Sequence, residues 1–140
     1  MESAKLTLAA TLVAAGALGA WGTGTLEAQQ TVSTFRRTLL DRHDLSAPGR
    51  EAVQMLAEFS PGAAAGRHTH PGEALGYVLE GAIVLEVPGK PPVTLKAGDV
   101  YFIPAGLAHD GRNAGKVPAK VLATYIIEKG KPITTAVSRR

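Results

Sequence analysis

Histidine, glycine and proline recur in this chain at spacings that leave few folds open. Gly62 is followed by His68 and His70, and Gly98 by Pro104, Gly106, His109 and Asn113. His68 and His70 lie two apart, the period at which side chains on a strand return to the same face. A strand there would aim both imidazoles at one point. His109 comes 39 residues after His70, behind a Gly-Asp turn and a Pro-x-Gly corner, as suits a neighbouring strand folded back over the first. Neutral imidazole is the commonest protein ligand for transition metals, so three of them converging in this way predict a site for one divalent ion.

The rest of the chain reads as short strands separated by turn residues. Val53, Met55, Ala57 and Phe59 alternate along 51–59, and apolar runs at 75–80, 83–87, 93–95 and 100–103 each end at or near Gly or Pro. Residues 120–127 are apolar on both faces apart from Thr124, which suits a strand sandwiched between two sheets. Residues 35–40 are expected to form a first strand or arm, 41–49 a turn-rich stretch closed by Pro48-Gly49, and 130–140 a surface tail. After the first 28 residues no segment shows a helical period.

These two stretches resemble the motifs of the cupin superfamily: GAAAGRHTHPGEALGYVLEG over 62–81 and GDVYFIPAGLAHDGRN over 98–113. The second matches the family pattern at every defining position. The first departs at one, because Ala74 stands where the family carries a glutamate ligand, while Glu73 falls one residue early. The resemblance implies an all-β, single-domain double-stranded β-helix, a jelly-roll-like barrel over residues 50–130, holding one metal ion. His68, His70 and His109 would be its ligands, with Glu73 an open fourth candidate. The family admits Fe, Mn, Ni, Cu or Zn, a small-molecule ligand or substrate, and a homodimer. It does not imply a reaction, since one fold of this kind serves unrelated chemistries.

A chain of 140 residues has room for one core. The net charge is +3 and is spread without blocks of like sign, which argues against nucleic acid as a partner. There is no cysteine, so disulfides, thiolate ligands and lipid-modified cysteine are all excluded. Residues 1–28 read as an export signal, with Lys5 ahead of an apolar, alanine-rich run and small residues near Ala28. The mature chain is then expected in the periplasm or secreted, free of stable membrane association. An uncleaved anchor is the competing reading, because the uncharged run from Leu6 to Leu26 is just long enough to span a bilayer. Residues 29–49 would be linker and N-terminal arm, and 131–140 a tail.

Strand parity predicts the pocket wall. Ala74, Gly76 and Val78 share the face of the histidines, and in a register that starts at the second motif Val100 and Phe102 would join them, turning Tyr77 and Tyr101 to the opposite faces. Glu73 points away from the ion unless Pro71-Gly72 bulges the strand. His43 reads as a surface histidine, Asn113 as a residue that fixes a turn, and Asp99 and Asp110 as turn and loop acids. The favoured function is a metal-dependent, dioxygenase-like oxidoreductase acting on a small chelating substrate. The alternatives are a non-catalytic exported protein that binds a metal or small ligand, and a metal-assisted isomerase or lyase, for which only Glu73 or a tyrosine could serve as acid or base.

Overall fold

The structure is a computed structural model that describes residues 33–138. The expected leader and the start of the linker lie outside the described residues. Ten strands follow one another with no helix among the described residues: β1 (Phe35–Asp44), β2 (Arg50–Phe59), β3 (His68–Thr69), β4 (Gly72–Glu80), β5 (Ala82–Glu86), β6 (Val93–Lys96), β7 (Val100–Ile103), β8 (Asp110–Arg112), β9 (Ala119–Glu128) and β10 (Thr135–Ala136). The all-β reading holds.

One layer is a five-stranded antiparallel sheet in the order β1-β2-β9-β4-β7. The other is built from β6-β5-β8 and β10-β3. These two pieces meet where His68 faces His109 across the strands: the His68 N–H donates to the His109 carbonyl at 2.9 Å and the His109 N–H to that of His68 at 3.0 Å. Two of the three motif histidines are thus held opposite each other by the backbone itself.

The layers close on an aliphatic interior. Along β9 the residues Ala119, Val121, Ala123, Tyr125 and Ile127 are buried, and each pairs with an inward residue of a neighbouring strand, such as Val53 opposite Tyr125 and Val78 opposite Val121. Burying each Val or Ile side chain contributes about 1.5–3 kcal/mol before the entropy of ordering is counted. Gly81 turns β4 into β5 at a φ of 66°, and a Cβ there would stand 2.4 Å from the Pro118 carbonyl oxygen. Only glycine fits both demands.

Four expectations need correction. β1 runs on to Asp44 and pairs with β2 at both ends, its register shifting once between Leu39 and Asp41, so the turn is confined to 45–49: hydrogen bonding to β2 outweighs the turn propensity of Asp41 and Asp44. β9 is not sandwiched between sheets. It is the central strand of one sheet, and its even-numbered residues from Lys120 to Ile126 are half-buried on the outer face. Residues 131–140 are not simply a tail, since β10 pairs with β3 and the Val137 N–H donates to the Arg67 carbonyl at 2.9 Å. The parity of β7 is also reversed. Gly76, which faces inward, lies opposite Tyr101, so Tyr101 faces inward too, while Val100 and Phe102 are 69% and 58% exposed.

Candidate metal centre

His68 and His70 flank Thr69 at the end of β3, and His109 immediately precedes β8. All three are buried. One ring nitrogen from each lies within 4.8 Å of the others. The ring centroids are 4.3 Å apart for His68 and His109, 4.8 Å for His68 and His70, and 5.0 Å for His70 and His109.

Hydrogen bonds decide which nitrogen is free. The Nδ1 of His68 lies 2.6 Å from the Gly66 carbonyl, that of His70 2.6 Å from the Ile133 carbonyl, and that of His109 2.9 Å from the Leu107 carbonyl. A carbonyl oxygen only accepts, so each Nδ1 carries the proton and donates. Each Nε2 is left with its lone pair. Burial lowers the pKa of all three imidazoles, each opposed by its carbonyl hydrogen bond; for His70 the value falls to about 4, helped by the nearby His68, His109 and Arg37. All three are neutral at pH 7, the form a metal requires. The donor set therefore fits a divalent ion of intermediate softness.

The histidines open onto a cavity of about 40 Å³ between the layers. Ala74 and the aliphatic side chains of both layers line it, together with Arg37, Tyr101 and Tyr125. Desolvation raises the pKa of both tyrosines, so their hydroxyls stay protonated. The Tyr125 ring packs 4.6 Å from that of His70.

Ala74 stands on the wall, as parity predicts. Glu73 lies outside the histidine group and does not line the cavity. β4 pairs with β9 without a break from Gly72 to Val78, its register shifting only between Val78 and Glu80. The strand is therefore regular from Gly72 onward, past the bend at Pro71, and Glu73 lies opposite Ile126 on the outer face. His43 is exposed and sits 3.0 Å from Asp41. Asn113 is buried; its amide donates to the Phe59 and Val117 carbonyls and accepts from the Gly115 N–H. Asp99 accepts from the Lys96 N–H at 2.7 Å, as a turn acid does. Asp110 differs from its expected role as a loop acid: it is buried in β8, its Oδ1 has no hydrogen-bond partner among the described residues, and its charge favours protonation of His68 and His109.

The sequence reading missed Arg37 and Tyr125 and misplaced Tyr101. The signal for Arg37 was alternation with Phe35. Both lie opposite inward residues of β2, Arg37 opposite Ala57 and Phe35 opposite Phe59.

Two closed antiparallel layers around three converging imidazoles define a small metal-site barrel. The chain belongs to the cupin family, whose Cupin domain model matches residues 55–125, and its fold is the cupin double-stranded β-helix. Germin-like protein subfamily 2 member 1 of Arabidopsis thaliana is 32% identical over 103 residues, covering 68% of this chain and 47% of that protein. The oxalate-binding protein of Thermotoga maritima is 40% identical over 71 residues, covering 50% of this chain and 58% of its own length. The chain thus spans about half the length of the curated relatives it matches. Among solved structures, oxalate oxidase in complex with the substrate analogue glycolate superposes with a TM-score of 0.60 at 24% identity, covering 77% of this chain and 57% of that one.

Proposed function

We propose that this cupin binds one divalent transition metal through Nε2 of His68, His70 and His109 and is an oxidoreductase acting on a small chelating substrate. The observation that carries the proposal is the engagement of all three Nδ1 atoms by carbonyl oxygens, which turns three neutral lone pairs toward one cavity. A bound ion would supply Lewis-acid or redox chemistry in the coordination positions the protein leaves open. The chain's own contribution is to hold the imidazoles neutral and to line the ligand's space mainly with apolar side chains. Tyr101 and Tyr125 present protonated hydroxyls, suited to donating a hydrogen bond rather than to removing a proton. Glu73 lies on the outer face, so no carboxylate base is at hand from that residue, which counts against the isomerase or lyase reading.

Oxygen uptake by iron- or manganese-reconstituted protein, measured with a panel of small hydroxy acids, diols and dicarboxylates, tests the oxidoreductase reading. Metal-dependent uptake with one of them supports it. Tight ligand binding without turnover by any metal form would favour a second reading, a non-catalytic binder, which the similarity to a protein named for oxalate binding also supports.

Two accompanying proposals concern the whole protein. The chain is exported and cleaved near Gln29, which mass spectrometry of protein from the exported fraction tests; a full-length mass in the membrane fraction would contradict it. Its partner is a second copy. Leu75, Tyr77, Val100 and Phe102 form an exposed apolar patch on the outer face of the five-stranded sheet, a surface of the kind that marks an interface.

A further inference from the structure

Arg37 faces inward from β1, opposite Ala57, and lines the same cavity as the three histidines. Its charge acts on His68, His70, His109, Tyr101 and Tyr125. The neighbouring Arg36 points outward and pairs with Glu58 at 2.5 Å. Among the described residues Arg37 has no carboxylate partner: one Nη1–H donates to the Thr134 hydroxyl, and the guanidinium carbon lies 5.0 Å from the centre of the Phe35 ring. No guanidinium nitrogen of Arg37 is both buried and without a partner, so its unspent donors stay within reach of solvent or of a ligand entering the cavity.

Resting on the metal-site reading above, we propose that Arg37 is the specificity-determining residue of this pocket and selects a small carboxylate. One end of the ligand would lie toward the three imidazoles, and a carboxylate would meet the guanidinium fork, whose paired N–H groups match two carboxylate oxygens. The cavity of about 40 Å³ suits a small acid. The C-terminal segment sets both halves of this arrangement. Ile133 presents its carbonyl to His70, and the next residue, Thr134, holds Arg37 with its hydroxyl. Thr134 is thus a positioning residue for the guanidinium.

The test uses full-length mature protein loaded with Co(II), whose visible spectrum reports ligands entering the site. Oxalate and acetohydroxamic acid, a chelator that carries no carboxylate, are titrated into wild type, Arg37→Gln, Arg37→Lys and Thr134→Val. Arg37→Gln should retain Co(II) stoichiometry and weaken oxalate by about tenfold or more, while acetohydroxamic acid changes by less than about threefold. Arg37→Lys, which keeps the charge but loses the fork, and Thr134→Val, which keeps the fork but frees it, should both fall between. Oxalate affinity unchanged in Arg37→Gln, or weakened no more than that of acetohydroxamic acid, overturns the role of Arg37 and leaves the metal site standing. Failure of wild type to take up Co(II) overturns the metal reading and this one with it. Should Arg37→Gln fail to fold, Arg37→Lys and Thr134→Val still decide: wild-type oxalate affinity in both overturns the proposal.

Discussion

Replacing Gly76 by alanine should destabilise the barrel through a single ring. A Cβ on Gly76 would lie 2.1 Å from two ring carbons of Tyr101 and 2.6 Å from its hydroxyl. The backbone itself can accept alanine, because Gly76 is not among the positive-φ glycines. The cost is therefore steric. Tyr101 is packed against both halves of the core and cannot swing aside freely, and overpacking of this kind costs about 1–3 kcal/mol. Reduced freedom of the unfolded chain returns about 0.4–1 kcal/mol of that, leaving a net loss of about 1–2 kcal/mol. For a domain near 100 residues this lowers the melting temperature by roughly 5–15 °C. Thermal and urea denaturation of Gly76→Ala, Tyr101→Val and the double variant form a cycle. The double variant should be more stable than the sum of the single losses by about 1 kcal/mol, because valine removes the clashing ring atoms. Full stability of Gly76→Ala, or strict additivity, would mean that Tyr101 points outward, as the register read from sequence alone had it.

Acid should destabilise the metal-free protein over a defined window. Below about pH 6.5 the unfolded chain binds protons that the folded one refuses, with His70 held down to about 4; stability is flat above 6.5 and falls as pH drops toward 4, and equal urea midpoints at pH 7 and 5 would contradict this. Phe102→Asp, in the middle of the exposed apolar patch, should convert a dimer sedimenting at micromolar concentration into a folded monomer, and a wild-type protein that sediments as a monomer would remove the second copy from the account. Glu73→Gln should leave metal affinity within about twofold, since the carboxylate lies on the outer face, whereas Ala74→Glu should add an oxygen ligand from the cavity wall and tighten Mn(II) more than Cu(II). A strong loss of affinity in Glu73→Gln, measured by competition with a chromogenic chelator, would bring Glu73 back into the site.

The all-β fold and the meeting of the three histidines were legible because both rest on local rules. Period-two spacing put His68 and His70 on one face, and turn residues such as Gly81 and Gly98 marked where strands end. Parity within β4 correctly placed Ala74, Gly76 and Val78 inward. It failed for β7, because the face a strand presents depends on its register with a partner, and the pairing of Gly76 with Tyr101 is a long-range fact. The same limit hid the C-terminal segment. Nothing in Ile133 or Thr134 announces that their backbone and hydroxyl hold His70 and Arg37; these contacts exist only because β10 returns to pair with β3. Arg37 was masked by its neighbour, since two adjacent arginines look like a solvated pair until β1 is paired with β2 and one of them turns inward.

The central claim is that three neutral imidazoles hold one ion, and metal stoichiometry tests it most directly. Wild type, His68→Ala, His70→Ala and His109→Ala are stripped, titrated with Zn(II) or Co(II), and assayed for bound metal alongside thermal denaturation of the same samples. The account predicts one ion per chain in wild type and, in each variant, a loss of affinity beyond the roughly 10–100-fold expected from disturbing a residue that merely supports a ligand, with cooperative unfolding retained because the aliphatic core does not depend on the ion. Wild-type stoichiometry and affinity in any one of the three variants would contradict it.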